Sequence, residues 1–413
     1  MKILWVKAGG LVPPDTGGKI RSYNILRELA RSHSVTFFSF YAAHDGDLHP
    51  SLKEVFHRVV CVPLPLPKPK SYSELQDYLI SLFSSEAYGI AKFCRPQVRR
   101  ALQTLLNEET FDVLLCDFVS PAAAVPWNWP GPKVLFTHNV EALIWRRHYE
   151  VAANPLWKAI SWIEWRRMEA AERRYLQLAD RVLTVSDSDR DAFASFVAPE
   201  KLTVIPTGVD LDYFQPMPVE EKPDSLVFTG SMDWLPNEDA ILYFVQAILP
   251  LIKQPCPEVY VEVVGRSPSQ KLLAIAEREK SVRLTGWVED IRPFVARAAI
   301  CIVPLRIGGG TRLKIFEAMA MGKAVISTSL GAEGLPVQSG KDVLLADTPQ
   351  DFAQSVVCLL RDSDLRRRLG AGARTLVQEN YGWAKVAENV AHTLQECIAS
   401  NMKRKSLKIR VAP

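Results

Sequence analysis

The stretch VPLRIGGGTRLKIFEAMAMGKAVIST, residues 303–328, decides the fold class of this chain. Its pattern predicts a buried strand, a turn of three glycines, a helix and a second buried strand. Gly308, Gly309 and Gly310 would let the backbone approach a ligand closely, and Thr311 is a candidate N-cap for the helix. Strands that alternate with helices in this way predict an α/β protein with a parallel sheet.

The same alternation extends in both directions along the chain. It predicts two doubly wound domains, whose ligands would collect in a cleft beyond the carboxyl ends of the strands. Turn residues and prolines mark a linker between them. The predicted strands lie at 2–8, 34–40, 112–118, 133–138, 181–186 and 202–206, and then at 226–231, 258–265, 281–287, 300–305 and 324–329. The predicted segments are 1–206, a linker at 207–224, 225–383, a last helix at 384–400 and a basic tail at 401–413.

Composition excludes several classes of protein. Of 413 residues, 48% are hydrophobic and 23% charged, which argues against a disordered chain or a coiled coil. The net charge of +4 is too small for a dedicated nucleic-acid binder. Seven cysteines without a CxxC pair indicate a reducing compartment, and no apolar run is long enough for a signal peptide or a membrane span. We therefore expect a cytoplasmic protein.

Two cations follow the glycines in an unusual place. Arg312 and Lys314 fall in the first turn of the predicted helix, where the helix dipole disfavours positive charge. A phosphate or diphosphate bound by the exposed backbone amides would account for both the glycines and the cations. The alternative is a flexible turn in which Lys314 forms a surface pair with Glu317, three residues further on.

These motifs resemble those of a known protein family. EAMAMGKAV and the glycine turn before it resemble the donor-binding segment of nucleotide-sugar glycosyltransferases of the GT-B fold, in particular glycosyltransferase family 4. Further matching segments follow the family's order along nearly the whole chain. They are PPDTGGKIRSYN, THNVE, VLTVSDSDRDAF, VIPTGVDLDYF, FTGSMDWLPN and LTGWVEDIRPF.

The resemblance implies two Rossmann-like domains facing across a cleft, an N-terminal one for the acceptor and a C-terminal one for the donor. The last helix would pack back on the first domain. Members transfer a sugar from a nucleotide diphosphate sugar, usually with retention at the anomeric carbon and without an essential metal or other cofactor. The resemblance therefore implies a glycan or glycolipid acceptor and no nucleic-acid partner.

The resemblance also assigns roles to individual residues. Glu317 would accept hydrogen bonds from ribose hydroxyls, and His138 would contact the donor sugar near the anomeric centre. The remaining candidates divide into a diphosphate-binding set and a nucleoside-binding set. The diphosphate set is Gly17, Gly18, Gly230, Ser231, Gly308, Gly309, Gly310, Thr311, Arg312 and Lys314, and the nucleoside set is Gly286, Trp287, Val288 and Glu317.

Two departures from the family pattern matter. The first glutamate of its paired-glutamate motif is replaced by Gly309, and the arginine expected after the first strand of the donor domain is replaced by Ser231, with no lysine nearby. Our hypothesis is that Arg312 and Lys314 supply the missing positive charge to the diphosphate.

The other candidate residues also have possible structural roles that involve no ligand. His138 follows the strand at 133–138 and would lie at the carboxyl end of the sheet, with Asn139 able to orient it, yet the pair could simply cap the next helix. Gly17 and Gly18 could form a plain turn, and the loop at 286–288 an ordinary strand-to-helix turn.

A long predicted helix at 154–177 combines Trp157, Trp162 and Trp165 with several arginines. Such a helix can dock on anionic lipid headgroups at the inner face of a membrane, or it can be a core or interdomain helix with internally paired charges.

The sequence thus predicts a glycosyltransferase of polysaccharide or cell-surface glycan biosynthesis. The alternatives are a GT-B nucleotide-sugar epimerase or hydrolase, and an inactive nucleotide-sugar-binding subunit, to which the missing glutamate gives weight.

Overall fold

A computed structural model describes residues 1–14, 16–41, 49–68, 71–152, 154–307 and 313–411. The chain folds into two compact units. The first consists of Met1–Pro206 together with Val386–Pro413, and the second of Thr207–Lys385.

The first unit contains a sheet of seven parallel strands in the order β3-β2-β1-β4-β5-β6-β7. Its central strands are apolar on both faces, as expected for strands covered by helices on either side. Ile3, Leu4, Trp5 and Val6 of β1, for example, have no exposed surface. The strands are β1 (Lys2–Ala8), β2 (Ser34–Tyr41), β3 (Arg58–Pro63), β4 (Val113–Asp117), β5 (Lys133–Phe136), β6 (Arg181–Thr184) and β7 (Leu202–Val204).

The helices of this unit bury one apolar side each. In α5, for instance, Val98, Leu102 and Leu105 recur at helical spacing and are buried. The helices are α1 (Gly17–Ala30), α2 (His49–Lys53), α3 (Tyr72–Ser81), α4 (Tyr88–Ala91), α5 (Pro96–Glu108), α6 (Glu141–Val151), α7 (Pro155–Leu178) and α8 (Asp187–Ala194).

The second unit contains a sheet of six parallel strands in the order β10-β9-β8-β11-β12-β13. The strands are β8 (Lys222–Thr229), β9 (Tyr260–Val264), β10 (Val282–Gly286), β11 (Ala298–Val303), β12 (Ala324–Ser327) and β13 (Leu344–Leu345). The helices are α9 (Leu235–Tyr243), α10 (Leu249–Lys253), α11 (Gln270–Arg278), α12 (Arg292–Arg297), α13 (Leu313–Ala320), α14 (Pro349–Arg361) and α15 (Ser363–Asn380).

A final helix, α16 (Trp383–Val411), begins in the second unit and continues in the first. Val386, Val390, Leu394 and Cys397 form its buried side. The sequence predicted this helix to end at 400 with a basic tail beyond it, but the helix continues to Val411, because lysine and arginine are good helix formers.

Three other details differ from the prediction. The sequence analysis missed β3, whose side chains are mostly half-buried, and the two-residue β13. The predicted linker also ends too late, since β8 already starts at Lys222. Both sheets nevertheless have the doubly wound parallel form that the apolar runs indicated.

Within the described residues, no helix is at once long enough and apolar enough to cross a bilayer. The seven cysteines all lie in the described ranges, and none of them forms a disulfide.

Candidate functional site

In the first unit, a buried carboxylate lies at the carboxyl end of β4. Asp117 has no exposed surface. Its Oδ2 accepts hydrogen bonds from Trp5 Nε1 at 2.9 Å, Lys7 Nζ at 3.0 Å and Ser22 Oγ at 2.6 Å. Strands β1 and β4 and helix α1 thus contribute to one polar cluster inside an apolar core.

The charge of Asp117 is compensated locally. Burial alone would raise its pKa, but the Lys7 ammonium, His138 and the hydrogen bond from Ser22 hold the pKa of the carboxyl well below its usual range. Asp117 is therefore ionised, and Lys7 forms the ion pair with it. A buried charge of this kind is tolerated only with such partners.

His138 lies beside this carboxylate. Its Nε2 is 2.9 Å from Asp117 Oδ1, and its ring makes edge contacts with Phe118 and Phe136, at centroid distances of 5.1 and 4.7 Å. Burial lowers the pKa of the imidazole to about 4, although the Asp117 charge opposes this shift. At neutral pH the imidazole is uncharged. A Cβ placed on Gly18 would lie 3.4 Å from its Nδ1, so His138 and Gly18 are close neighbours.

The backbone next to Asp117 is strained. Phe118 has a φ of 79°, in the left-handed region that bulky residues rarely adopt. Its N–H donates to the Phe136 carbonyl at 2.7 Å, which links the ends of β4 and β5. Such strain persists where the surroundings fix it, and it is frequent at functional sites.

Asn139 does not orient His138 as the sequence analysis suggested. Its Nδ2 donates to Glu141 Oε1 at 3.4 Å, and Asp117 contacts the imidazole instead. The start of α6 is capped by Glu172, whose Oε1 accepts from the Glu141 N–H at 2.7 Å. Burial raises the pKa of Glu172 to about 8.

Arg21 of α1 is a further buried cation in this cluster. Burial lowers its pKa to about 10, while the charges of Asp117 and Asp189 act in the opposite direction. Arg21 remains charged at neutral pH. The first-unit cluster therefore contains two cations, one carboxylate and a neutral imidazole.

In the second unit, a glycine turn ends β8 next to a lysine of α13. Gly230 has a φ of 152°, and a Cβ on it would lie 2.9 Å from Lys314 Nζ. Lys314 Nζ donates to Asn237 Oδ1 at 2.8 Å and lies 3.9 Å from the centroid of the Phe228 ring. Asn237 Nδ2 donates in turn to the Ser231 carbonyl at 2.8 Å. Lys314 is thereby positioned at the turn formed by Gly230 and Ser231.

Ser231 takes part in a second set of contacts. Its Oγ donates to Asp233 Oδ1 at 2.6 Å and accepts from Arg266 Nε at 2.8 Å. Arg266 follows β9, the neighbouring strand. The structure therefore brings an arginine to the turn at which the sequence comparison found one missing.

Glu317 lies on α13 one turn after Lys314. Both side chains line a narrow pocket between α13 and the ends of β8 and β11, together with Thr229 and Cys301. Burial raises the pKa of Glu317 to about 7, and the Lys314 ammonium partly opposes that shift. Glu317 therefore changes its protonation near neutral pH.

The predicted nucleoside-binding loop lies at the end of β10. Gly286 has a φ of 69°, Trp287 is 73% exposed and Val288 packs partly against the core. Strand β9 separates β10 from β8, so the two ends are about 10 Å apart at two strand spacings. An exposed indole at this distance from Gly230 can stack on a flat ring.

Several predicted site residues lie outside the described part of the chain, namely Gly308, Gly309, Gly310, Thr311 and Arg312. The anion site at the three glycines and the role of Arg312 remain predictions. Gly17, the first residue of α1, is described, and a Cβ on it would meet no atom within 4 Å.

Across the described ranges, no group of three or more His, Cys, Asp or Glu side chains is arranged to hold a metal ion. The expectation that no metal is required remains a prediction.

Five residues of these clusters were not predicted from the sequence, namely Asp117, Lys7, Ser22, Asn237 and Arg266. Two of them had a visible signal, because Lys7 in KILWVKA and Asp117 in DVLLCDF are charges in otherwise apolar strands, near their carboxyl ends. Ser22, Asn237 and Arg266 stand in ordinary polar surroundings and give no such signal.

Two glycosyltransferase family models match successive parts of the chain. The family model described as Glycosyltransferase Family 4 matches residues 16–213, and the one described as Glycosyl transferases group 1 matches residues 223–362.

Curated relatives match at lower coverage. The MMP α-(1→4)-mannosyltransferase of Mycolicibacterium hassiacum is 28% identical over 262 residues, 61% of this chain and 63% of that protein. The GDP-mannose-dependent α-(1-6)-phosphatidylinositol monomannoside mannosyltransferase of Mycobacterium tuberculosis is 27% identical over 249 residues, 54% of this chain and 63% of that protein. In both cases, the match spans less than two thirds of the relative's own length.

A solved structure supports the fold along the whole chain. Anabaena Alr3699/HepE in complex with UDP aligns with a TM-score of 0.68 and 16% identity, over 96% of this chain and 100% of that one. At this identity the similarity concerns the fold alone.

Proposed function

Because the chain belongs to the group 1, family 4 glycosyltransferases of the GT-B fold, we propose that it transfers a sugar from a nucleotide diphosphate sugar to a glycan or glycolipid acceptor. The reaction would retain the configuration at the anomeric carbon and serve polysaccharide or cell-surface glycan biosynthesis. The mannosyltransferase and phosphatidylinositol mannoside names of the relatives support a role of this kind.

One observation carries the proposal: Lys314 is positioned by Asn237 at the Gly230–Ser231 turn. Negative charge grows on the leaving diphosphate as its bond to the anomeric carbon breaks. A cation already positioned there stabilises that charge without reorganisation, and removing one such donor typically reduces the rate by roughly 100- to 1,000-fold. The Gly230 backbone, which has no side chain, would let the phosphates approach.

Glu317 and the Gly286–Val288 loop would bind the nucleoside. Glu317 would accept hydrogen bonds from the ribose, and Trp287 is exposed enough to cover the base. His138 would face the sugar as a neutral imidazole, held in orientation by Asp117.

The release of nucleoside diphosphate tests the activity. Donors should include UDP- and GDP-sugars, since relatives or structural neighbours carry either nucleotide in their names. Release that depends on an added glycan or glycolipid acceptor supports transfer. Conversion without acceptor would indicate an epimerase or hydrolase, and binding without turnover an inactive sugar-nucleotide-binding subunit. The anomeric configuration of the product, measured by NMR, tests retention.

Lys314→Ala tests the observation itself. We expect its turnover to fall by roughly 100-fold or more, with intact folding. Lys271→Ala, which removes an exposed lysine from α11 in the same unit, is the matched control and should keep wild-type turnover. Equal turnover in Lys314→Ala and wild type would contradict the proposed role.

We also propose that the first unit contacts an anionic membrane surface, where a glycolipid acceptor would be available. Helix α3 and the turn after it expose an apolar face at helical spacing, formed by Tyr72, Leu75, Leu79, Ile80 and Phe83, of which Phe83 is 96% exposed. Contiguous exposed apolar faces mark sites of interaction with proteins or membranes.

The neighbouring helix α7 carries exposed arginines such as Arg166, whose side chain is 57% accessible and pairs with Glu169. Arg167 of α7 donates to the carbonyls of Ser81 and Leu82 at the end of α3, so the two helices are adjacent. On α7, Leu156, Trp157 and Trp162 are also exposed. Tryptophans and arginines next to an apolar helix face favour the headgroup region of anionic lipids.

Vesicle binding tests this contact. We expect cosedimentation with phosphatidylglycerol-containing vesicles, weakening as salt is raised, and little with pure phosphatidylcholine. The double variant Leu79→Ser with Phe83→Ser should lose most of this binding. Leu273→Ser, which removes a partly exposed leucine from α11, should not. Binding that survives the double substitution would exclude the α3 face as the contact.

A further inference from the structure

Arg266 reaches the Gly230–Ser231 turn because the backbones at the ends of β8 and β9 are in close contact. Gly265, directly after β9, has a φ of 159°, and a Cβ on it would lie only 1.8 Å from the Gly230 carbonyl oxygen. The Gly230 N–H donates to the Val264 carbonyl at 3.0 Å, and the Met232 N–H donates to the Arg266 carbonyl at 2.9 Å. Glycine at 265 is therefore what allows the Arg266 backbone to lie beside Ser231.

The side chains of Arg266 and Asp233 meet at the Ser231 hydroxyl. Arg266 Nε donates to Ser231 Oγ at 2.8 Å, Ser231 Oγ donates to Asp233 Oδ1 at 2.6 Å, and Arg266 Nε lies 3.9 Å from Asp233 Oδ2. Both charged side chains are more than half exposed, at 60% for Arg266 and 52% for Asp233. Exposed contacts of this kind contribute little to stability and exchange easily for a stronger partner.

Lys314 approaches the same turn through Gly230 and Asn237. Lys314 and Arg266 thus both lie next to the turn that carries the Ser231 hydroxyl. This turn is at the carboxyl end of a parallel sheet, where ligands of such sheets bind. A guanidinium can contact phosphate oxygens through two parallel N–H groups, which an ammonium cannot. The carboxylate of Asp233 makes the contacts that a phosphate oxygen would make with Ser231 and Arg266.

We propose that Arg266 binds the diphosphate of the donor and that the Asp233 carboxylate occupies its place until the donor binds. On binding, a phosphate oxygen would take over the hydrogen bonds from Ser231 and Arg266, and Asp233 would turn out into solvent. No covalent step is involved. This inference rests on the proposed function and adds two residues to it, one that favours the ligand and one that competes with it.

Calorimetric titration of the full chain tests both roles. UDP and GDP serve as probes, with the corresponding nucleosides as probes lacking phosphate. Arg266→Ala should weaken the binding of whichever diphosphate the wild type binds by about 10- to 100-fold, because a charge-assisted contact is lost. Arg266→Lys should restore part of the affinity. Asp233→Asn should tighten binding several-fold, since the competing charge is removed.

Two controls separate a local effect from a distortion of the unit. Arg278→Ala, which removes an exposed arginine from the end of α11, should bind the diphosphate as the wild type does. Nucleoside binding should be equal in wild type and Arg266→Ala. Circular dichroism should show intact folding in every variant, because both side chains are exposed.

The outcomes distinguish this inference from the proposed function. If wild type binds UDP or GDP and Arg266→Ala binds it equally well, Arg266 is not a diphosphate residue and the proposed function stands. If Asp233→Asn weakens binding, Asp233 is a ligand contact and not a competitor. If the wild type binds no nucleoside diphosphate of any base, the proposed function and this inference both fail.

Discussion

His138 illustrates how burial can outweigh a neighbouring charge. A carboxylate 2.9 Å away favours the imidazolium, yet burial lowers the pKa of His138 from 6.5 to about 4. Loss of solvation on burial is the largest effect, and the nearby charges of Arg21 and Lys7 further disfavour a positive imidazolium. At neutral pH a ligand that contacted the imidazole would therefore meet a neutral group.

This shift predicts a pH dependence of stability. Between pH 6.5 and about 4, the unfolded chain binds a proton at His138 that the native protein does not bind. Stability from this residue is therefore complete above pH 6.5 and is lost as the pH falls towards 4, by at most about 3 kcal/mol. Urea unfolding at a series of pH values should show a shallower slope for His138→Gln than for wild type.

Gln103→Ala, at an exposed position of α5 that has no titratable side chain, provides the control and should keep the wild-type slope. Identical slopes for His138→Gln and wild type would show that His138 does not titrate in this way.

Glu317 predicts a pH dependence of ligand binding. Its pKa of about 7 means that the carboxyl loses its proton between roughly pH 6 and pH 8. A carboxylate accepts hydrogen bonds from ribose hydroxyls through both oxygens, so nucleotide affinity should rise with pH over this range. The phosphates of the ligand titrate there as well, and only the difference between wild type and Glu317→Gln reports on the residue.

We expect Glu317→Gln to bind the nucleotide more weakly than wild type at pH 8, with the difference shrinking towards pH 6. Glu277→Gln, at an exposed position of α11, should follow the wild type throughout. A Glu317→Gln curve parallel to wild type would remove the proposed contact with the ribose. Titration calorimetry at three pH values is sufficient.

Among the elements, the junction of β8 and β9 depends on a glycine. Alanine at 265 would add a Cβ 1.8 Å from the Gly230 oxygen at a φ of 159°, so the two strand ends would have to separate. We expect a loss of about 3 kcal/mol or more in the free energy of unfolding, together with weaker nucleotide binding, because Ser231 and Arg266 move apart.

Gly340→Ala isolates the backbone cost from the overlap. Gly340 also has a positive φ, of 85°, but a Cβ there would meet no atom within 4 Å. Gly340→Ala should lower the free energy of unfolding by only about 1–2 kcal/mol and leave nucleotide binding unchanged. Similar losses for the two variants would mean that β8 and β9 tolerate the overlap.

The elements themselves were largely predictable from sequence. Buried parallel strands are continuous apolar runs, and the eleven runs named above each coincide with a strand. The exceptions have physical causes. β3 lies at the sheet edge and is only half-buried, so its run RVVCVP carries a weaker signal, and two residues are too few for any pattern to reveal β13.

The site was less predictable, because its contacts join residues far apart in sequence. Lys314 and Glu317 were predicted as site residues from a local motif, and His138 from its place after a strand and from the family resemblance. Asp117 meets Lys7 across 110 residues, and Arg266 meets Ser231 across 35. The contact of Arg266 with Ser231 depends on β9 lying next to β8 and on the glycine at 265. Neither condition can be recognised from Arg266 or Ser231 alone.

For the whole molecule, the two candidate sites differ in their chemistry. The first unit holds a neutral imidazole beside the buried Lys7–Asp117 ion pair, as suits contact with uncharged sugar hydroxyls. The second holds Lys314 and Arg266 at an open glycine turn, as suits a diphosphate.

The chain passes between the units twice, after Pro206 and after Lys385, so the first unit needs the C-terminal part of the chain. Val386, Val390 and Leu394 of α16 have no exposed surface, and burying each stabilises by about 1.5–3 kcal/mol. Their sum is comparable to the stability of a whole domain.

A chain that ends at Lys385 should therefore lose the unfolding transition of the first unit in calorimetry. A chain that ends at Asn401 loses mainly the exposed pair of Arg404 with Asp180, and it should keep both transitions. Two intact transitions in the shorter chain would show that α16 is dispensable to the first core.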